Sequence, residues 1–186
     1  MEAEVIRSRR KTLSIQIKEG RVIVRAPLRA ANAEISRFLQ AHRNWIQVHL
    51  AKSLAAEQAK QQVPKLTKAE IKALKEQARK VIPERAAYYA PLIGTNYGKI
   101  SIRCQKTRWG SCSAKGNLSF NCLLMLTPEG VIDSIVVHEL CHRKHMNHSA
   151  RFYAEVLRVL PEYRTYQRWL KEHGEVIIAR VPEADA

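Results

Sequence analysis

The first part of the chain alternates apolar and polar residues with the period of a β-strand. The apolar positions of this pattern are Leu13, Ile15, Ile17, Val22 and Val24. Successive side chains of a strand face opposite sides, and a short glycine-containing segment between two alternating runs is typical of a hairpin turn. Glu19-Gly20 supplies that segment. The pattern therefore predicts a β-hairpin or a small meander within residues 3–26.

Apolar residues then recur with helical spacing over residues 31–60. The stripe consists of Ile35, Phe38, Leu39, Trp45, Ile46 and Leu50. Spacing of three and four residues places side chains on one face of a helix, so we expect one long helix here. A second helix is predicted from Thr67, where Glu70 completes a capping box, to about Tyr89, with a kink or break at Pro83.

The second half of the chain mixes strand and helix signals. Two strands, Lys99–Gln105 and Leu118–Met125, are predicted on either side of a turn-rich segment around Gly110. A helix is expected to begin at Thr127-Pro128-Glu129, because a cap, a proline and an acidic residue favour a helix start.

Two further helices are predicted towards the end of the chain. Ser149 begins an apolar-periodic segment, and the last helix covers Tyr163–Glu172 and ends at Gly174. We expect residues 1–66 to form a basic part with the hairpin and a long helix. Residues 67–180 are expected to form the metallohydrolase domain with the candidate chemistry, and residues 181–186 a disordered tail. The alternative is that residues 1–180 form one continuous domain.

Positive charge is concentrated in the first half of the chain. The net charge is +15, with 19 Lys/Arg against 8 Asp/Glu in residues 1–90 and 13 against 9 in residues 91–186. Such an excess favours a polyanion partner, including nucleic acid, through the basic N-terminal half. A solvated basic surface explains the same numbers, so charge alone does not assign a function.

The four cysteines are expected to be reduced thiols. They show no C-x-x-C spacing, and a chain with 46% hydrophobic residues builds a core without disulfides. No apolar run has the length of a signal peptide or a membrane span. We therefore expect a soluble cytoplasmic protein without a membrane partner. No pattern in the sequence indicates an oligomeric state.

The segment VVHELCHRKHMNHSARFY contains four of the seven histidines of the chain. His138 and His142 are four residues apart, about 40° around a helix, so both imidazoles can face one ion. Glu139 lies beside them, where its carboxylate can take a proton from metal-bound water. This H-E-x-x-H arrangement predicts one zinc ion per chain with Glu139 as the catalytic base. The same ligands also suit manganese, nickel or cobalt.

A catalytic zinc needs a third protein ligand and an open coordination position. On a continuing helix, His145 would lie about 10 Å along the axis from His138. His148 can face the same ion only if the helix ends before it. Asn147 is a suitable turning point, because asparagine tolerates the left-handed conformation. We favour His148 as the third ligand. The alternatives that stay open are His145, Glu155 and Glu162.

Two segments in this order resemble a known family. The first is Thr107-Arg108-Trp109-Gly110-Ser111-Cys112-Ser113, followed by Gly116-Asn117-Leu118-Ser119-Phe120-Asn121, and the second is VVHELCH…NHSARFY. They are similar to the YgjP-like bacterial zinc metallopeptidases of M48 type, which are related to the SprT and WLM families. The resemblance covers most of residues 1–175.

The resemblance implies a minimal zincin-like fold of the α+β class. In such a fold, a small antiparallel sheet is packed on the active-site helix that carries H-E-x-x-H. The resemblance also implies zinc on His138, His142 and His148 and a catalytic role for Glu139. It leaves the substrate open between a peptide or protein and a nucleotide, because some relatives resemble nucleotide phosphoanhydride hydrolases.

Peptide-bond hydrolysis is the function that we favour at this point. The strand Leu118–Met125 is a candidate free edge for an extended peptide, and Arg108 is a candidate for contacting the oxyanion or substrate. One alternative is a metal-dependent nucleoside triphosphate (phosphoanhydride) hydrolase, for which Arg103, Lys106 and Arg108 are suitable cations. Against it, the chain lacks a glycine-rich phosphate loop. Another alternative is a basic nucleic-acid-binding module with a structural zinc.

Overall fold

The computed structural model describes residues 3–182. The chain divides into two compact units, Met1–Gln62 and Val63–Ala186. Residues 183–186, which make up most of the predicted tail, lie outside the described part of the chain. Within residues 3–182, no helix combines the length and apolar character needed to cross a membrane.

The first unit begins with a three-stranded sheet. Strands β1 (Glu4–Ser8), β2 (Ser14–Lys18) and β3 (Arg21–Pro27) are arranged in the order β1-β3-β2. Strands β2 and β3 are antiparallel and confirm the predicted hairpin, whereas β1 runs parallel to β3. The hairpin turn has positive φ angles at Glu19 (51°) and Gly20 (70°), as two-residue hairpin turns require.

Two helices follow where the sequence predicts one. Helix α1 covers Asn32–Ala41 and α2 covers Arg43–Gln62. The break is at His42, whose φ of −105° and ψ of 14° leave the helical range. The ring nitrogen Nδ1 of His42 lies 2.8 Å from the carbonyl oxygen of Phe38. His49 makes the same contact with Trp45 inside the continuous helix α2, so this hydrogen bond does not by itself explain the break. Hydrophobic periodicity does not reveal the break either.

The second unit begins with the long helix α3 (Lys68–Ile93). Its predicted capping box is confirmed, because Thr67 and Glu70 exchange hydrogen bonds between side chain and backbone. The helix continues through Pro83 without the predicted break and ends at Gly94, which is left-handed with φ 70°.

A small sheet packs beside the helices of this unit. Strands β4 (Ile100–Arg103), β5 (Gly110–Cys112) and β6 (Leu118–Asn121) are arranged in the order β4-β6-β5. Strand β4 is parallel to β6 and β5 is antiparallel to it, so the sheet is mixed and the predicted antiparallel sheet is wrong. The chain between β4 and β6 forms β5 on the far side of β6. Strand β6 is also shorter than predicted, because a 3₁₀ helix begins at Cys122.

Helix α4 (Glu129–Cys141) is at the centre of the second unit. It contacts α3, α5 (Ala150–Val159), α6 (Tyr163–Ala179) and β5. Its buried residues are Val131, Ile132, Ser134, Ile135, Val136, Val137, Glu139, Leu140 and Cys141. A helix that is apolar on all sides belongs in a core, and this one is enclosed accordingly.

Helix α6 continues five residues past the predicted end at Gly174. A Cβ atom at Gly174 would lie 3.2 Å from Cζ2 of Trp109. The glycine thus permits close approach of the Trp109 ring within a continuous helix and does not mark a C-cap. Its role is packing, which a reading of glycine as a helix terminator misses.

Asn121 fixes the chain segment that leads into β5. Its side chain is fully buried, and its Nδ2 donates to the carbonyl oxygens of Gln105 (2.7 Å) and Arg108 (3.0 Å). Its Oδ1 accepts from the amide of Leu123 at 3.2 Å. One amide therefore satisfies three backbone groups and holds the segment 105–108 against the end of β6.

Replacing Asn121 with alanine should lower the free energy of unfolding by about 2–3 kcal/mol, because three backbone groups lose their partners. Ser119→Ala is the matched control in the same strand. The hydroxyl oxygen of Ser119 is buried without a hydrogen-bond partner among the described residues. We expect this control to stay within about 0.5 kcal/mol of the wild type or to be more stable. Urea denaturation followed by circular dichroism measures both, and equal loss in the two variants would contradict the role of Asn121.

Candidate metal centre

The end of helix α4 brings the first two candidate ligands together. His138 lies in its last turn and His142 is its C-cap residue. Amide groups of Lys144 and His145 both donate to the carbonyl oxygen of Cys141 at 3.0 Å, so the chain turns tightly after the helix. The helix thereby stops before the position of the third candidate ligand.

His148 lies in the loop between this turn and α5. Ser149 caps α5, where its hydroxyl oxygen accepts from the amide of Phe152 at 3.4 Å. Asn147 does not adopt the expected left-handed conformation, since Glu19 is the only non-glycine residue with positive φ in the described chain. The reversal instead depends on the turn at Cys141 and the cap at Ser149.

Three imidazole rings converge at this point. The Nε2 atom of His138 lies 3.2 Å from that of His142 and 3.0 Å from that of His148. The ligand atoms of the three residues all lie within 4.8 Å of one another. Nitrogens bound tetrahedrally to zinc at about 2.05 Å are roughly 3.3 Å apart. The spacing of the His138, His142 and His148 group therefore fits a single ion of this size.

Hydrogen bonds at the opposite ring nitrogens orient two of the histidines. Nδ1 of His142 lies 3.0 Å from the carbonyl oxygen of His145, an acceptor only, so a neutral His142 carries its proton on Nδ1. Its Nε2 lone pair then faces the other two rings. Nδ1 of His138 lies 2.7 Å from the hydroxyl of Tyr163. Partners of this kind fix the tautomer and orientation of metal-binding histidines.

The environment keeps His138 neutral. Burial, together with the positive charges of protonated His142 and His148, lowers the pKa of His138 to about 4. Burial also lowers the pKa of His142. At neutral pH both rings therefore offer lone pairs, as metal coordination requires.

Two aromatic residues of the site were not identified from the sequence. The Phe152 ring is fully buried, with its centroid 4.9, 4.7 and 5.0 Å from those of His138, His142 and His148, respectively. The second, Tyr163, is also buried. Helical periodicity identified Phe152 as a core residue, but no local signal indicates that it would pack against the histidines. Tyr163 is 25 residues from His138, and only the packing of α6 against α4 brings them together.

Glu139 lies next in sequence to His138 and is 5% exposed. Burial raises its pKa to about 8, and the nearby positive charge of Arg108 opposes that rise. The carboxylate packs against the backbone of β5, because a Cβ atom at Gly110 would lie 2.7 Å from its Oε1. The Arg108 side chain is exposed, and its carbonyl oxygen is one of those held by Asn121.

The alternative third ligands have other contacts. His145 contributes its backbone carbonyl to His142, and its ring is not part of the converging group. Glu155 pairs with Lys144 at 2.9 Å and with Arg158 at 3.0 Å, and these bonds lower its pKa to about 2. Glu162 accepts a hydrogen bond from the hydroxyl of Tyr166 at 3.0 Å. The geometry thus brings His148, and none of these three side chains, to the other two histidines.

This chain is similar to known proteins both in sequence, through a family model, and in structure, through two archaeal proteins. The family model for the YgjP-like metallopeptidase domain matches residues 11–71 and 54–173. The metallopeptidase zymogen abylysin of Pyrococcus abyssi aligns with a TM-score of 0.45 and 24% identity over 50% of this chain and 94% of its own. The zymogen jannalysin of Methanocaldococcus jannaschii aligns with a TM-score of 0.45 and 23% identity over 50% and 96%. Comparison with curated protein sequences finds no match.

Replacing His148 with alanine should weaken the binding of added zinc by at least about 100-fold, because one of three converging ligands is lost. His145→Ala is the matched control, since it removes a nearby ring but keeps the backbone carbonyl that orients His142. Competition with a chromophoric chelator measures both affinities. A larger loss in His145→Ala than in His148→Ala would reassign the third ligand.

Tyr163→Phe should weaken zinc binding by about 10-fold without unfolding the protein. The change keeps the buried ring and removes only the hydroxyl that bonds to His138. Tyr153→Phe is the control, because the Tyr153 ring lies 6.2 Å from that of His148 but its hydroxyl makes no hydrogen bond among residues 3–182. The same chelator titration distinguishes the two, and equal affinities would exclude an orienting role for Tyr163.

Proposed function

We propose that this chain, which belongs to the YgjP-like metallopeptidase family, hydrolyses peptide bonds with one zinc ion held by His138, His142 and His148. The observation that carries the proposal is the convergence of three Nε2 atoms. The buried Glu139, next in sequence to His138, supports it. Three neutral nitrogen ligands leave one coordination position of a tetrahedral zinc for water or substrate.

The chemistry of the three histidine ligands supports zinc as the bound metal. Imidazole nitrogens suit zinc, and three histidines with one open position are a known ligand set of catalytic zinc. When bound, the ion would lower the pKa of a water molecule towards neutrality and polarise a peptide carbonyl.

Glu139 is proposed as the general base and later the general acid. Support for this role comes from its position next in sequence to His138 and from its burial at 5% exposure. A bound zinc ion would favour the ionised carboxylate, which is the form that accepts a proton. Glu139 would accept a proton from the attacking water and deliver that proton to the leaving amine. The close packing against Gly110 limits the rotamers available to it and so favours one orientation.

The substrate is proposed to lie along β5, which corrects the predicted binding strand. Leu118–Met125 was the expected free edge, but β6 is the central strand and is paired on both sides. Strand β5 pairs only with β6 in the described sheet and contacts helix α4. An extended peptide could therefore add to its open side. Arg108, two residues before β5, remains our candidate for contacting the substrate carbonyl.

A cytoplasmic location remains part of the proposal. The described chain contains four free cysteines, of which Cys122 and Cys141 are buried. Reduced thiols are the usual state in a reducing compartment, which supports the expectation.

Glu139→Gln should reduce peptide hydrolysis by at least about 100-fold while zinc remains bound, because the amide cannot accept the proton. The experiment measures cleavage of a mixed library of fluorescence-quenched peptides and, in parallel, zinc content by elemental analysis. Glu172→Gln, which changes an exposed glutamate on α6, is the control and should keep full activity.

Two outcomes would count against the mechanism. Unchanged turnover in Glu139→Gln would remove this residue from the reaction. Release of phosphate or pyrophosphate from nucleotides by zinc-loaded wild type, with no peptide cleaved, would instead favour phosphoanhydride hydrolysis.

A further inference from the structure

A groove of about 420 Å³ lies along helix α3, in the second unit and outside the histidine group. It extends from the start of the helix towards Cys104, which follows strand β4. The residues that line it are Lys68, Ile71, Lys72, Lys75, Glu76, Arg79 and Cys104. Strands β4 and β5 are opposite edges of their sheet, so the groove is separate from the edge proposed for peptides.

Four cations form one row in this groove. Lys68, Lys72, Lys75 and Arg79 are spaced by four, three and four residues, which places them on one helical face. The row is about 16 Å long at the rise of an α-helix. Lys75 is half-buried and the other three are exposed. Neighbouring cations are therefore about 5–6 Å apart at Cβ, similar to the repeat of a nucleic-acid backbone.

The row has almost no compensating negative charge. None of its four cations forms an ion pair within residues 3–182, and Glu76 is the one acidic residue that lines the groove. Elsewhere in the same unit, Arg85 pairs with Asp133 at 2.7 Å and Lys144 pairs with Glu155 at 2.9 Å. Unpaired cations also occur elsewhere in the described part of this unit, so what distinguishes the groove is that four of them are aligned on one helical face.

The row of four cations destabilises helix α3, for two reasons. Like charges three and four residues apart on a helix repel each other. Lys68 also lies in the first turn, where the helix dipole disfavours a cation. A bound polyanion would relieve both effects, since each of its charges would lie near a cation of the row.

We propose that this groove binds the phosphodiester backbone of single-stranded nucleic acid. A row of unpaired cations in a concave surface fits a chain of regularly spaced phosphates, and the net charge of +15 favours encounter with it. No aromatic side chain lines the groove, so binding is independent of base sequence and depends strongly on salt. The inference does not depend on the proposed peptidase activity.

Fluorescence anisotropy with a labelled oligothymidylate of about 20 nucleotides tests the proposal. The full chain is used with one equivalent of zinc, and electrophoresis of the labelled oligonucleotide after the titration verifies that it is intact. We expect the wild type to bind, with affinity that falls as salt is raised. The combined variant Lys68→Gln, Lys72→Gln, Lys75→Gln and Arg79→Gln should lose at least about 10-fold in affinity. Its slope of log affinity against log salt should decrease by about 2–3, at roughly 0.7 per phosphate contact.

A control variant removes the same number of charges elsewhere in the second unit. Its changes are Lys80→Gln, Lys115→Gln, Arg168→Gln and Lys171→Gln, all at exposed residues that do not line the groove. We expect its affinity to stay within about 2-fold of the wild type, apart from a small effect of net charge. Equal losses in the two variants would show that only total charge matters and would overturn the proposal. Absence of binding by the wild type would do the same.

An acidic protein surface is the competing occupant. A polyglutamate peptide that displaces the oligonucleotide at equal concentration of charge would favour it and overturn the nucleic-acid assignment.

Circular dichroism first establishes that the groove variant is folded. If it is not, photo-crosslinking of wild type to an oligonucleotide with thiothymidine decides the question. Crosslinks in residues 68–79 support the groove, and crosslinks confined to other segments refute it.

Discussion

The burial of helix α4 on every side is the constraint on which the second unit depends. Helices α3, α5 and α6 and strand β5 all pack against it, and nine of its thirteen residues are buried. A helix held in this way cannot rotate without exposing apolar surface. The direction of the side chains at its C-terminal end, His138 and Glu139, is therefore set by the core. The positions of His138 and Glu139 are thus determined by the apolar packing of the helix that carries them.

The residues at that end of the helix are stabilised by partners distant in sequence. Tyr163 of α6 bonds to His138, and Phe152 of α5 contacts all three histidine rings. The third histidine joins them because a tight turn at Cys141 and the cap at Ser149 reverse the chain. Each partner belongs to a different element, so the group can form only when α4, α5 and α6 are packed together.

The sequence predicted those features that depend on neighbouring residues. The capping box at Thr67, the hairpin turn at Glu19-Gly20 and the convergence of His138 with His142 all follow from short spacings. It did not predict features decided by tertiary contacts. Gly174 was predicted to end a helix but packs against Trp109 within one. Strand β5 was not predicted, because its three residues lie in a segment with strong turn signals. The order β4-β6-β5 depends on which strand lies beside α4, and hydrophobic periodicity carries no such information.

The contact between Gly110 and Glu139 has a consequence for substrate choice. With no side chain at Gly110, the main chain of β5 lies directly against the carboxylate, whose Oε1 would be 2.7 Å from any Cβ there. A peptide paired with β5 would be aligned by its own amide and carbonyl groups, which every residue type except proline supplies alike. Its distance from the proposed proton acceptor would then be nearly the same for many sequences. With the proposed mechanism, the enzyme would select for extended, accessible backbone, and hence for unfolded or loosely folded chains, more than for particular side chains.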